Sequence, residues 1–375
     1  MKIGIDARSL IRKERAGLEQ YLANLISHLE KIDNENQYFL FFNFIRPQYQ
    51  RFLPQFTSNN FHNVVCPIPS KIMTRLFKAS LPIESCLGKL DVFHAPRHLL
   101  LPSIWAKTVL TIHDLMFIDH PEFLKLEWVK SLEKEVHKGI KRANLIISVS
   151  LFTKNRILEN WKKMSAEKIK VIYSGVNECF YPIEDKVIID KIKHKYGIKN
   201  RYILFVGNVE PKKNLIRLFE AFSQVKNSID GYNLVIAGGG WAFDKLFQKV
   251  KESNLQKDVI FTGYISDEDL PALYSGAEIF VFPSLYEGFG LPVIEAMACG
   301  TPVITSNSAS LPELARDAGI LIDPFKVEDI AGAMYQLLTD TNLKMKLKEK
   351  GLQRAKLFSW EKTASETLAV YKELA

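Results

Sequence analysis

The chain has 375 residues, 47% hydrophobic and 25% charged, which is the balance of a folded protein with room for about two domains. No apolar run reaches the roughly 20 residues of a membrane-spanning helix. The cysteines Cys66, Cys86, Cys179 and Cys299 are too scattered for a disulfide framework or a zinc cluster. The net charge of +8 favours an anionic partner, whether a phosphorylated substrate, a membrane surface or nucleic acid. Aromatic residues are not interleaved with basic ones in a recognisable module, which disfavours nucleic acid. The start, MKIGIDARSL, enters a strand pattern at once with no cleavage site behind it, so a cytoplasmic protein is expected.

Short apolar runs alternate with longer amphipathic stretches. In the first half strands are expected at Lys2–Asp6, Tyr38–Phe42, Val92–His94, Thr108–His113 and Asn144–Val149, with helices over Leu18–Lys31 and Glu122–Ala143. The segment Lys71–Leu81 sets Lys71, Arg75 and Lys78 on one helical face and Ile72, Met73, Leu76 and Phe77 on the other. It reads either as a helix packed on the first sheet or as a basic helix resting on an anionic membrane surface. Gly175–Asn200, with Pro182 and Gly197, reads as an interdomain connection.

The alternation restarts near residue 200, with strands expected at Tyr202–Val206, Asn233–Ala237, Val259–Thr262, Ile279–Phe282, Pro302–Thr305 and Ile320–Ile322. A last helical pattern, Phe358–Leu374, follows Ser359 as N-cap. Strands alternating with helices imply parallel sheets covered on both faces, with ligands at the strands' carboxyl ends. The expected domains are 1–175, 176–357 and a terminal helix, 358–375, that crosses back to the first.

The most informative segment is Pro283-Ser-Leu-Tyr-Glu-Gly-Phe-Gly-Leu-Pro-Val-Ile-Glu-Ala-Met-Ala-Cys-Gly300, read as loop and helix after a strand. Gly288 and Gly290 permit a tight turn, Pro292 suits a first helical turn, and Gly300 with Pro302 ends the helix. Backbone N–H groups near Gly290–Val293 would form an anion site. Glu287 and Glu295 bracket it with seven residues between them. Taken alone, Glu287 reads better as a solvated loop acid and Glu295 as a partner of the helix dipole. In Gly207-Asn-Val-Glu-Pro-Lys-Lys-Asn214, Lys212 and Lys213 stand before a helix N-terminus, which disfavours cations; a bound diphosphate would relieve that conflict. His113 and His94 both end apolar strands. Asp267-Glu-Asp269 imitates a metal motif but is expected to cap the helix at Leu270–Tyr274, so no metal is expected. Gly238-Gly-Gly240 lacks dinucleotide spacing.

The Glu287-to-Glu295 segment, followed by Gly300-Thr-Pro-Val-Ile304, resembles the signature of retaining glycosyltransferases of family 4. Gly207–Asn214 resembles their phosphate loop, Thr111-Ile-His-Asp-Leu115 the strand bearing the active-site histidine, Val171-Ile-Tyr-Ser-Gly-Val-Asn177 the entry to the second domain, and Phe358-Ser-Trp-Glu-Lys-Thr363 the terminal helix. The resemblance spans nearly the whole chain. It implies a GT-B fold, two Rossmann-like domains facing across a cleft, with donor bound by the C-terminal domain and acceptor by the N-terminal one. It implies donor binding by Gly17, Asn208, Lys212, Lys213, Gly288, Phe289, Gly290, Leu291 and Glu295. It gives catalytic roles to His113, Glu287 and Lys213; Asp114, beside His113, and His94 and Arg97, at the end of another strand, are the acceptor-side candidates. One departure is Asn208, where many relatives carry Arg; charge neutralisation then falls to Lys213 and Lys212.

The expected activity is retaining transfer from a nucleoside diphosphate sugar, GDP-mannose ahead of a UDP-sugar, to a saccharide or lipid-linked saccharide hydroxyl. No cofactor is expected beyond this co-substrate. Attack is expected on the front face, with the departing phosphate taking the acceptor's proton. A non-catalytic nucleotide-sugar-binding module is the rival reading. An epimerase or a glycogen-type phosphorylase is disfavoured by the paired glutamates and the lack of a pyridoxal-lysine context.

Overall fold

The computed structural model describes residues 1–11, 17–228, 231–240 and 243–375. The chain forms two compact units, Met1–Gly175 with Trp360–Ala375, and Val176–Ser359.

The first unit is built on strands β1 (Lys2–Asp6), β2 (Gln37–Asn43), β3 (Phe61–Cys66), β4 (Val92–Ala95), β5 (Lys107–Ile112), β6 (Leu145–Ser148) and β7 (Ile169–Val171). They lie in the order β3-β2-β1-β4-β5-β6-β7, and every pairing is parallel. The central strands are apolar because helices cover both faces; β4 and β6 are buried at every position. The sequence pattern did not mark β3 and β7. Both are edge strands; in Phe-His-Asn-Val-Val-Cys polar residues break the apolar run, and Ile-Lys-Val is only three residues long.

The helix Gly17–Ile32 and the terminal helix Trp360–Leu374 pack together, with the Tyr21 and Trp360 rings edge-on at 5.7 Å. Thr363 Oγ1 donates to the Tyr173 carbonyl at 2.7 Å, which ties the terminal helix to the end of this domain.

Two expected helices are shorter than the pattern implied. The long one runs over Leu126–Arg142, after a separate 3-10 turn at Pro121–Phe123. The basic one runs over Ser70–Lys78 and does not keep a single apolar face. Met73 and Phe77 enter the domain core, whereas Ile72 is 47% exposed. Lys71, Arg75 and Lys78 are exposed. The packing reading therefore accounts for the helix's buried side chains.

The second unit contains β8 (Arg201–Val206), β9 (Tyr232–Ala237), β10 (Val259–Gly263), β11 (Ile279–Phe282), β12 (Val303–Ser306) and β13 (Gly319–Ile322). Their order, β10-β9-β8-β11-β12-β13, is again wholly parallel. The strand order reverses between β1 and β4 in the first sheet and between β8 and β11 in the second. Beyond the strands' carboxyl ends at such a reversal the loops splay apart and leave a crevice for ligands. Asp269 stands at the cap position of the helix Leu270–Ser275, but its side chain does not cap it. It accepts instead from Tyr196 Oη at 2.6 Å and from the Lys195 ammonium, so the expected capping role is corrected to a tie between two helices. Among the described residues no helix is long and apolar enough to cross a membrane.

Candidate active site

The switch point of the second sheet gathers the loops after β8 and β11. The loop after β8 begins at Gly207 and is held against the loop after β9, with Val209 N–H donating to the Gly239 carbonyl at 2.7 Å. A Cβ at Gly238 would stand 2.1 Å from the Gly207 carbonyl oxygen. That close approach explains part of the triple glycine. Pro211–Lys213 form a single 3-10 turn, and Asn214 follows in the left-handed region at φ 61°, ψ 30°, which Asn tolerates better than most side chains. The Asn214 amide donates to the carbonyls of Pro283 at 3.1 Å and Pro324 at 2.6 Å. This stitches the loop after β8 to the loop after β11.

The stitching brings Lys213 and Glu287 together. The Lys213 ammonium donates to Glu287 Oε1 at 2.6 Å and sits 4.7 Å above the Phe282 ring. Lys212 Nζ lies 3.8 Å from Glu287 Oε2. Ser284 Oγ donates to Glu287 Oε1 at 2.6 Å. Lys213 and Glu287 are each 8% exposed. Burial favours the neutral carboxyl of Glu287, but Lys213 and Lys212 outweigh it and hold the group below the usual carboxylate range. Burial draws Lys213 below the ordinary lysine value, against the pull of Glu287. The cation that local sequence left uncompensated at a helix N-terminus thus already faces a carboxylate of its own chain.

Glu295 lies on the helix Leu291–Ala298, with Gly290 as N-cap at φ +121° and no side chain capping the end. A Cβ at Gly290 would stand 2.8 Å from Leu311 Cδ2, so glycine serves both conformation and fit. Ser310 Oγ bridges the carbonyls of Glu287 at 2.9 Å and Phe289 at 2.6 Å, fixing the path of the glycine loop. Phe289 is buried against Phe358, their rings 5.9 Å apart. Gly288 and Leu291 are partly exposed on either side of Phe289 and Gly290. Glu295 Oε2 accepts from Tyr274 Oη at 3.0 Å. Burial raises its carboxyl to about 7, although the Tyr274 hydrogen bond works the other way. Asn208 is exposed and directs its amide toward Glu210.

In the first unit His113 ends β5, and its Nε2–H donates to the Pro96 carbonyl at 2.9 Å. That bond leaves the lone pair of the neutral ring on Nδ1. Burial lowers its pKa, so the ring is neutral at physiological pH. Tyr21 packs edge-on against it at 4.8 Å. Asp114 Oδ1 accepts from the Met116 N–H at 3.0 Å, and Arg97 is partly buried with its Nε lacking a hydrogen-bond partner among the described residues.

His94 is different. It is 0% exposed, shares hydrogen bonds with Tyr371 Oη at 2.6 Å and Thr111 Oγ1 at 2.8 Å, and burial lowers its pKa to about 3. With no surface and both ring nitrogens engaged, it locks the terminal helix to the sheet and is withdrawn from the acceptor-side candidates. Gly17 is exposed at the start of the helix Gly17–Ile32, and among the described residues a Cβ there would meet nothing within 4 Å. Ser284, Tyr274, Asn214 and Ser310 were not among the candidates. Tyr274, Asn214 and Ser310 act through hydrogen bonds to segments 21 or more positions away, for which sequence spacing carries no signal, and Ser284 acts through Glu287 three positions on.

The pattern for Glycosyltransferase Family 4 matches residues 15–178, and that for Glycosyl transferases group 1 matches residues 188–354. The O-antigen chain mannosyltransferase B of Escherichia coli is 34% identical over 285 residues, covering 76% of this chain and 74% of that protein. The chain belongs to glycosyltransferase family 4. A serotype-specific mannosyltransferase, WbdA of Escherichia coli, is 33% identical over 270 residues, 69% of this chain but only 32% of that longer protein. Among solved structures, sucrose-phosphate synthase from Thermosynechococcus elongatus superposes with a TM-score of 0.78 at 23% identity, over 100% of this chain and 99% of that one. It shares the GT-B fold of this glycosyltransferase.

Proposed function

We propose that this glycosyltransferase moves a mannosyl group from GDP-mannose to a hydroxyl of a saccharide or lipid-linked saccharide, with retention of configuration and without a metal. The observation that carries the reading is the buried Lys213–Glu287 pair at the switch point of the second sheet. Similarity to mannosyltransferases supports the sugar. In the reaction the bond from the anomeric carbon to the β-phosphate oxygen breaks. The acceptor oxygen bonds to that carbon on the same face, and the departing phosphate takes the acceptor's proton. Lys213, shared between Glu287 and the diphosphate, stabilises the charge that develops on the leaving oxygen, with Lys212 beside it. Glu287, held by Ser284, orients the sugar hydroxyls and opposes positive charge at the anomeric carbon. Glu295 accepts from the ribose hydroxyls. Roles for Gly17, Arg97, His113 and Asp114 rest on the family resemblance.

The test is a thermal-shift series with GDP-mannose and with UDP-, ADP- and dTDP-glucose, since a ligand of the native state raises the melting temperature by mass action. The product's anomeric configuration is then read by NMR. GDP-mannose should give the largest shift and an α-linked product. A larger shift with a UDP-sugar overturns the donor, and a β-linked product overturns retention. A peripheral membrane contact through Lys71, Arg75 and Lys78 would be led by charge, because Met73 and Phe77 are spent in the core.

A further inference from the structure

We infer that a groove on the first domain binds the phosphate end of an amphiphile, a lipid phosphate or diphosphate, with its apolar part along the groove floor. The groove has a volume of about 340 Å³, of the size that encloses a small ligand. Its walls are the helices Ser70–Lys78 and Leu126–Arg142, and its floor is the segment 99–102, Leu-Leu-Leu-Pro. From one wall come Phe77 and Lys78. From the other come Lys134, Glu135, Lys138 and Arg142, which recur at helical spacing and so form one stripe.

The charge balance selects the ligand's head. Arg8, at one end of the groove, is already neutralised by Asp6 through hydrogen bonds of 2.7 and 2.6 Å. Among the described residues, Lys78, Lys134, Lys138 and Arg142 then face one lining carboxylate, Glu135. Arg142 is positioned by donation from Nη2 to the Leu101 carbonyl at 3.3 Å. Glu135 accepts from Ser131 Oγ at 3.3 Å. Four cations around a recess with an apolar floor focus a positive field that one carboxylate does not cancel.

The apolar surroundings select the tail. A cradle for inorganic phosphate needs no leucine floor. Two residues beyond Pro102 the chain exposes Ile104 at 65% and Trp105 at 63%, and Trp128, on the same helix as the lysine stripe, is 60% exposed. The loop bearing Ile104 and Trp105 is firmly built. Glu84 Oε1 accepts from Ser103 Oγ at 2.6 Å and from the N–H groups of Ile104, Trp105 and Ala106 at 3.1, 3.1 and 3.2 Å. A buried carboxylate thus holds these apolar side chains in solvent, where a lipid tail leaving the groove would meet them. A lipid-linked acceptor carries this chemistry. That link rests on the function proposed above, whereas binding in the groove does not.

The experiment is calorimetric titration of the full chain with farnesyl diphosphate, without sugar donor, beside pyrophosphate and farnesol. Farnesyl diphosphate should bind, and more weakly as salt is raised. The K134E/K138E double variant, and K78E on the opposite wall, should weaken binding on the order of tenfold or more, while K191E/K346E on the second domain leaves it unchanged. Pyrophosphate and farnesol should each bind at least about tenfold more weakly than the joined molecule. The proposal is overturned by no binding, by groove variants that titrate like the parent, or by either fragment binding as well as the whole. A GDP thermal shift on the same samples reports the second domain separately, so loss of the groove and loss of donor binding are told apart.

Discussion

Glu295 should make the second domain less stable as pH rises through neutrality, and replacing it with Gln should remove that dependence. Its carboxyl is 8% exposed and raised from 4.5 to about 7 by burial, so the folded chain keeps a proton that the unfolded chain releases. The stabilisation is therefore fully present below about pH 4.5 and is lost as pH rises through about 7. At about 1.4 kcal/mol per pH unit, the interval from 4.5 to about 7 gives an upper bound of about 3 kcal/mol. In Glu295→Gln the amide oxygen still accepts from Tyr274, and the unpaired amide nitrogen adds a cost that does not vary with pH. The comparison is therefore of slopes. Melting temperatures of parent and variant are measured between about pH 5 and about pH 8.5. At roughly 2–4 °C per kcal/mol for a domain of this size, their difference should change by roughly 5–10 °C in favour of the variant. Other titrating groups cancel in the difference. Parallel curves would refute the assignment of a neutral, buried acid. Saturating GDP should narrow the change, because ribose hydroxyls donating to the carboxylate favour its charged form.

Lys213→Ala should raise the Kd of GDP far more than that of guanosine, and cost about 3–5 kcal/mol in stability by leaving Glu287 buried beside the more distant Lys212; equal losses for both ligands by calorimetry would remove the phosphate role. Glu287→Gln should bind GDP yet lose turnover at saturating donor, and near-normal turnover would displace it from the chemistry. His94→Leu should destabilise the first domain by about 2–4 kcal/mol, since the Tyr371 and Thr111 hydroxyls both lose a partner, while the acceptor KM stays unchanged; a raised KM would return His94 to the acceptor side. Activity should survive EDTA, and loss restored by magnesium or manganese would show that lysines and backbone donors do not suffice.

The central strands, the glycine-bearing loop after β11 and the spacing of Glu287 and Glu295 were legible because each depends on neighbours within a few residues. Periodicity says which side of an element is apolar, and glycine and proline say where it turns. Strands β3 and β7 escaped because His62 and Asn63 interrupt the apolar run of the one and the other is only three residues long.

Local pattern stopped short wherever two distant segments had to meet. Phe93-His94 and Ile112-His113 look alike as strand ends, yet only His94 is sealed, by a tyrosine 277 positions away. Lys213 meets Glu287 across 74 positions because β8 and β11 are neighbours in the sheet, an order no single segment encodes. The helix Ser70–Lys78 carried a pattern open to a core or a bilayer reading, and only the fold shows that Met73 and Phe77 are buried in the domain core. The sequence by itself determined the elements and the residue types available for chemistry. The tertiary structure decided which carboxylate is paired, which histidine is buried and which lysines share a groove, because burial and charge pairing depend on contacts made only after the sheets assemble.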